Sequence, residues 1–268
     1  MDIIQIFQYS FIQKGFLAGS FVAIACSSLG LFLVLRKMSL IGDGLSHVSF
    51  GAIALGLFLG IYPFYVAVPL VILASILILK ISEKARIYGD AAIGIVSAVG
   101  IAGGVILASL SSGFNVDLFS YLFGNILAIS SSEVILSVIL SLLVLVVIYC
   151  FYWDLFSVTF DEEYAKTTGI KTNFINSLLT VLTAVTVVLS IKVVGIMLIS
   201  ALLILPAVTA LQFSGKFKVA IFLGGLFSLI SVLSGIIISF FMDLPTGATI
   251  VMLNALFFAI AFVYRKIV

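Results

Sequence analysis

The sequence predicts an all-α fold, a polytopic bundle of transmembrane helices, and three observations predict it. Of 268 residues, 63% are hydrophobic and only 9% charged, where a soluble domain carries about 25% charge. Mean hydropathy is +1.41, and the apolar residues fall into runs close to the roughly 20 residues a helix needs to cross a bilayer. Third, the basic residues cluster between alternate runs. Such a chain cannot bury its apolar surface in one soluble core, so membrane lipid is its solvent and first partner. The net charge of +2 includes no basic patch interleaved with aromatics, so no nucleic acid is expected as a partner.

Nine segments qualify as spans, near 15–35, 45–61, 64–82, 91–111, 132–153, 173–191, 194–213, 219–241 and 246–264. The expectation is eight or nine spanning helices in one transmembrane domain over 1–268. Residues 1–12 read as an amphipathic stretch lying on the membrane surface. Asp2 and the lack of a basic n-region argue against a cleavable signal peptide, so the first span would direct insertion.

Charge fixes the expected orientation. With the N-terminus outside, Arg36, Lys37, Lys80, Lys84, Arg86, Lys166, Lys171, Lys216, Lys218, Arg265 and Lys266 fall on the cytoplasmic side. Only Lys14 and Lys192 fall outside, so eleven of the thirteen basic residues obey the positive-inside asymmetry. The C-terminus is then cytoplasmic.

The stretch 117–130 is apolar but short, and counting it as a span would break the charge parity. It reads as a re-entrant or interfacial segment near the outer face. Asp117 and Asn125 there either touch a pathway or, for Asp117, cap a half-helix. Pro69 and Pro206 lie inside spans, where neighbours satisfy the freed carbonyls. Small residues at Gly94-Ser97-Ala98, Gly100-Gly103-Gly104 and Gly224-Gly225-Ser228 suit close helix packing. Cys26 and Cys150 sit in apolar runs without metal-ligand spacing and read as small buried residues. Asp90, Glu133 and Asp154 lie near span ends, where interfacial water accounts for them.

The stretch from Met38 to His47 is the most informative. It holds the only histidine, with Asp43 four residues before it, so both side chains share one helical face. A helix starting near Leu40 carries His47 about 10 Å into the membrane. Ionisable groups are expensive there. An aspartate and an imidazole suit a first-row divalent cation held transiently. Equally, Asp43 caps the helix and His47 donates to a carbonyl; the residues by themselves leave both readings open.

The longest polar stretch, Phe160 to Lys171, lies in the largest cytoplasmic loop, about 154–172. Thr159 or Asp161 would cap a short helix and Gly169 would stop it. This is either a docking element or a solvated turn. The chain has no phosphate-binding GxxxxGK[ST] loop, no Gly-x-Ser-x-Gly elbow and no HExxH. It is expected to be no enzyme, and uphill transport would draw its energy from another subunit or an unusual relay.

The run MSLIGDGLSHVSFGAIALG resembles the signature of the zinc/manganese/iron permease family of ABC importers. The segments YGDAAIGIVSAVGIAGGVIL, DLFSYLFGNILAIS, FDEEYAKTTGIKTNFIN, VVGIMLISALLILPAVTA and FFMDLPTGATIV are similar to later family segments, in order along nearly the whole chain. The resemblance implies a homodimeric permease in a bacterial inner membrane, served by two copies of a cytoplasmic ABC ATPase and by an extracytoplasmic metal-binding protein. It implies no resident cofactor, only a transported divalent metal: zinc, manganese or iron. Asp43 and His47 match the family's metal-contacting acid and histidine. Asp161, Glu162, Ala165 and Gly169 match positions of its ATPase-docking helix. A stand-alone secondary carrier or channel is the alternative.

Overall fold

A computed structural model describes residues 9–85, 88–110, 121–125 and 129–267. Among these, nine helices are long and apolar enough to cross a membrane. In chain order the helices are α1 (Ser10–Leu35), α2 (Ile41–Phe58), α3 (Pro63–Ala85), α4 (Gly89–Leu110), α5 (Ser131–Cys150), α6 (Tyr152–Phe160), α7 (Glu162–Thr167), α8 (Thr172–Val194), α9 (Ile199–Phe213), α10 (Phe217–Met242) and α11 (Thr246–Ile267). A 3₁₀ turn at Ile196–Leu198 leads into α9. The expected spans are all present. The surface stretch expected over 1–12 is not separate at its end, because Ser10 already begins α1.

Helices α1 and α8 form the centre. They are the most buried spans, and α1 packs against α5, α8, α9 and α10. Small residues at Ala18, Ala23, Ala25 and Cys26 let four neighbours approach α1 at once. Among the buried hydroxyls of α8, Thr183 Oγ1 and Ser190 Oγ donate to carbonyls one turn back, which satisfies them within the helix. Ser190 Oγ also meets Cys26 Sγ of α1 at 3.0 Å, and Thr186 Oγ1 has no partner among the described residues.

Helices α2 and α4 make the most extensive contact among the described helices. A Cβ at Gly100 would lie 2.7 Å from Val48 Cα, so only glycine allows the two backbones to meet here. Gly104 faces the Phe50 ring in the same way, whereas Gly94 and Gly103 face open space. The expected small-residue packing thus holds at two of the four glycines of α4 named from the sequence. Pro69 and Pro206 lie inside α3 and α9 as expected.

The expected cytoplasmic loop over 154–172 is largely helical. A single residue, Phe151, separates the end of α5 from the start of α6, whose aromatic side chains bind it to the bundle. Phe156 meets Phe217 at 5.1 Å and Tyr152 meets Phe217 at 6.0 Å. At the opposite end, the described part of 117–130 packs against the end of α8. Gly124 and Gly195 both have positive φ (74° and 88°), and a Cβ on Gly124 would sit 2.6 Å from the Gly195 nitrogen. Asn125 is exposed; Asp117 lies outside the described residues.

Candidate functional site

The turn before α2 places everything that follows. α1 ends in a Schellman turn: Met38 N–H donates to the Leu33 carbonyl at 2.9 Å and Lys37 N–H to Val34 at 3.1 Å. Lys37 takes the left-handed position, with φ 58°. That turn holds Arg36 at the helix end and starts α2 at Ile41. Asp43 is then the third residue of α2 and His47 lies one turn on.

Asp43 does not cap α2. The N-cap is Leu40 and no side chain bonds the free amides. Instead the Asp43 Oδ2 lies 3.5 Å from His47 Nε2. That separation is longer than a strong hydrogen bond and leaves both groups with lone pairs to offer. Their side chains are 48% and 29% exposed, so the pair faces off the chain's own surface and away from its core. Among the described residues no three His, Cys, Asp or Glu side chains come together. The pair is therefore a two-donor set, suited to passing a cation on and too sparse to hold one.

The second set stands on α7, a helix of six residues that is too short to persist alone. Each expected residue has a structural task in it. Asp161 is the N-cap and accepts from Tyr164 N–H at 2.9 Å; Thr159 bonds back into α6 instead. Gly169, at φ 88°, ends the helix in a second Schellman turn, with Ile170 N–H donating to the Ala165 carbonyl. Ala165 is fully buried. Glu162 lies 3.2 Å from Arg36, 3.2 Å from Lys166 and 3.4 Å from the Asn176 amide. Asp161 and Gly169 are exposed at its two ends, and the exposed face of α7 between them is made by Glu163, Tyr164, Lys166 and Thr167.

The Arg36–Glu162 pair connects the two sets. Arg36 sits seven residues before Asp43, and its side chain is 11% exposed. Burial pushes its guanidinium below its ordinary pKa, and Glu162 pulls it back up. Sequence reasoning counted Arg36 only as one more cytoplasmic charge.

A further cluster lies at the opposite end, where interfacial water was the expected partner of Glu133. The structure corrects this: Glu133 is 7% exposed. It closes a capping box with Ser130 at the start of α5. It also accepts from the Tyr62 hydroxyl at 2.7 Å and pairs with Lys192 at 3.1 Å. Lys192 in turn lies 4.4 Å from the centre of the Tyr121 ring. Burial and the neighbouring carboxylate together push the Tyr62 phenol well above its usual pKa. The Ser-x-x-Glu spacing at Ser130–Glu133 was the signal that could have found this cluster.

The model of the ABC 3 transport family matches residues 8–265, nearly the whole chain. The chain belongs to the ABC 3 transport family. It is a multi-pass membrane permease of that family, which sets aside the stand-alone carrier or channel. It is 35% identical over 260 residues to the manganese transport system membrane protein MntC of Halalkalibacterium halodurans, covering 97% of this chain and 89% of MntC. It is 33% identical over 250 residues to the high-affinity zinc uptake system membrane protein ZnuB of Haemophilus influenzae, covering 93% and 96%. Among solved structures, a chain of PsaBC from Streptococcus pneumoniae, in complex with Fab, superposes with a TM-score of 0.88 at 35% identity, covering 97% of this chain and 94% of that one. The family expectation for the fold therefore stands along the full length of the bundle.

Proposed function

We propose that two copies of this chain form the translocation pathway of an ATP-driven importer of divalent metal cations, manganese or zinc first and iron as a further candidate. The observation that carries the reading is the Asp43–His47 pair, half-exposed on α2 of an ABC 3 family permease. One pair is an incomplete ligand set. A second copy with its α2 facing the first would bring four donors to one cation, a number that first-row metals accept. Relatives named for manganese and for zinc both support the cargo class. The donor chemistry accepts either ion.

In this reading the chain is a single permease domain with its N-terminus outside and its C-terminus in the cytoplasm, in a bacterial inner membrane. An extracytoplasmic metal-binding protein delivers the cation at the end that carries Glu133 and Lys192. Two copies of a separate ATPase dock at the basic end, against the element spanning 154–172. Asp161, Glu162, Ala165 and Gly169 build the docking helix, and Glu163, Tyr164 and Thr167 present it. Movement of α7 reaches the metal pair through Glu162 and Arg36, because Arg36 is fixed to the turn from which α2 starts. The pair lies toward the cytoplasmic side, so it serves as a way-station after capture elsewhere.

The test is uptake of radioactive manganese and zinc by the permease reconstituted with its ATPase and binding protein. His47→Ala and Asp43→Asn should abolish uptake while assembly and ATP hydrolysis persist. Near-normal uptake in both variants would overturn the metal role. Reversing charge at Glu163 together with Tyr164→Ala should release the ATPase; a complex that stays intact would remove α7 from the docking surface.

A further inference from the structure

Helices α1, α5, α6 and α10 enclose a groove with two connected parts. The part nearer the basic end is a cavity of about 610 Å³, with Ile148, Tyr152, Trp153 and Lys218 among its walls. The deeper part is about 300 Å³, lined by Ile24, Gly225, Leu226 and Leu229 among others. Ser28 and Ile221 belong to both parts and join them. The metal-pair helix α2 packs instead on α3, α4, α8 and α9, so the groove is not a branch of that site.

The chemistry changes with depth. Lys218 is at the mouth, 5.2 Å from the Trp153 ring centre and 5.8 Å from that of Tyr152. Among the described residues no carboxylate pairs with its ammonium group. Below the mouth the walls are almost wholly apolar. Gly225 opens the floor: a Cβ there would find only the Ser27 hydroxyl, at 3.9 Å. From Lys218 to Leu229 along α10 is roughly 16 Å at the helical rise. That is about half of the ~30 Å hydrocarbon core, the depth of one leaflet. Tryptophan, tyrosine and lysine together are the residues that sit at headgroup level.

We propose that this groove binds one anionic phospholipid. Its phosphate rests on the Lys218 ammonium beside Trp153 and Tyr152, and one acyl chain runs past Ser28 and Ile221 to Leu229. A single lysine near the headgroups favours an anionic over a zwitterionic lipid by roughly fivefold. Such a lipid braces α6 against α10, next to the element that leads into α7.

Trp153 is the only tryptophan of the chain, so its fluorescence reports this groove alone. The full chain would be reconstituted in dioleoylphosphatidylcholine vesicles containing acyl-brominated phosphatidylglycerol or acyl-brominated phosphatidylcholine. The brominated phosphatidylglycerol should quench Trp153 at about a fifth of the lipid fraction that brominated phosphatidylcholine needs. Lys218→Gln should bring the two curves together. Gly225→Leu, which fills the groove floor and keeps Lys218, should remove the excess quenching as well. Equal quenching in the native chain, or a preference that survives both substitutions, would overturn the proposal. Failure of both lipids to quench would mean that protein covers the groove, and would overturn it equally.

Discussion

The two ends of the bundle handle buried charge in opposite ways. Where α2 begins, the Glu162 carboxylate is 35% exposed and is shared among Arg36, Lys166 and Asn176. Where α5 begins, the Glu133 side chain is 8% exposed and every partner is at 3.3 Å or closer: Tyr62, Lys192 and the Ser130 backbone. Water reaches Glu162 and Lys166 in the first network and screens them, while the Arg36 guanidinium lies under cover, so the exposed partners exchange at small cost. In the second the carboxylate itself is shielded from water, although Tyr62 reaches the surface, so the contacts to Glu133 are stronger and their loss more damaging. A yielding joint thus sits beside α7 and the turn that leads to Asp43 and His47. A rigid clamp joins α5, α8, the turn after α2 and Tyr121 at the far end.

The contrast is open to a graded set of substitutions. The largest effect is expected from Glu133→Ala, which leaves Lys192 without its carboxylate and should cost about 3–5 kcal/mol of stability. Thermal unfolding of the purified permease measures this. Combining Glu133→Leu with Lys192→Met should recover most of the loss, since an apolar pair replaces a dry ion pair at little cost. A double variant as unstable as Glu133→Ala would mean that the clamp acts through its shape and not through the burden of a lone charge. Tyr62→Phe removes one hydrogen bond to a charged acceptor and should cost about 1.5–3 kcal/mol by the same measurement. Glu162→Ala removes a part-exposed carboxylate but leaves the guanidinium of Arg36, 11% exposed, without it, so it should cost less than Glu133→Ala, about 1–3 kcal/mol. It should nonetheless lower the metal carried per ATP hydrolysed, which reconstituted uptake and phosphate release measure side by side. Should Glu162→Ala unfold the protein as readily as Glu133→Ala, the distinction between joint and clamp fails. The smallest effect is that of salt. Raising ionic strength from 0.1 to 1 M shortens the screening length from about 10 to about 3 Å. This should narrow the stability gap between the native chain and Glu162→Ala, and leave the Glu133→Ala gap nearly unchanged.

Much of this molecule was legible before any coordinates. Hydropathy marks every span, because lipid leaves the backbone no other way to satisfy itself. The helical spacing of Asp43 and His47 places them on one face, Gly169 ends the short helix as expected, and of the two candidate caps, Thr159 and Asp161, the structure uses Asp161. Long-range pairing was harder to see. Nothing local distinguishes Arg36 from Lys37, yet a Schellman turn sends one to Glu162 and leaves the other in the left-handed position. Glu133 looked solvated because it starts a span. Its burial depends on Tyr62 and Lys192, which are 71 and 59 residues away along the chain. The aromatic packing that makes α6 a helix depends on Phe217, which no window around residue 156 contains.

The backbone contact between α2 and α4 limits how the molecule can work. Where side chains separate two helices, a change of rotamer lets one slip or turn past the other. At Gly100 and Val48 there is no such cushion. Any shift of α2 therefore bears directly on the α4 backbone, and α4 carries a broad exposed surface. The smallest moving part of this permease is therefore a pair of helices travelling as one plank. A displacement of α2 at the ion-pair joint would carry Asp43, His47 and that outer surface together.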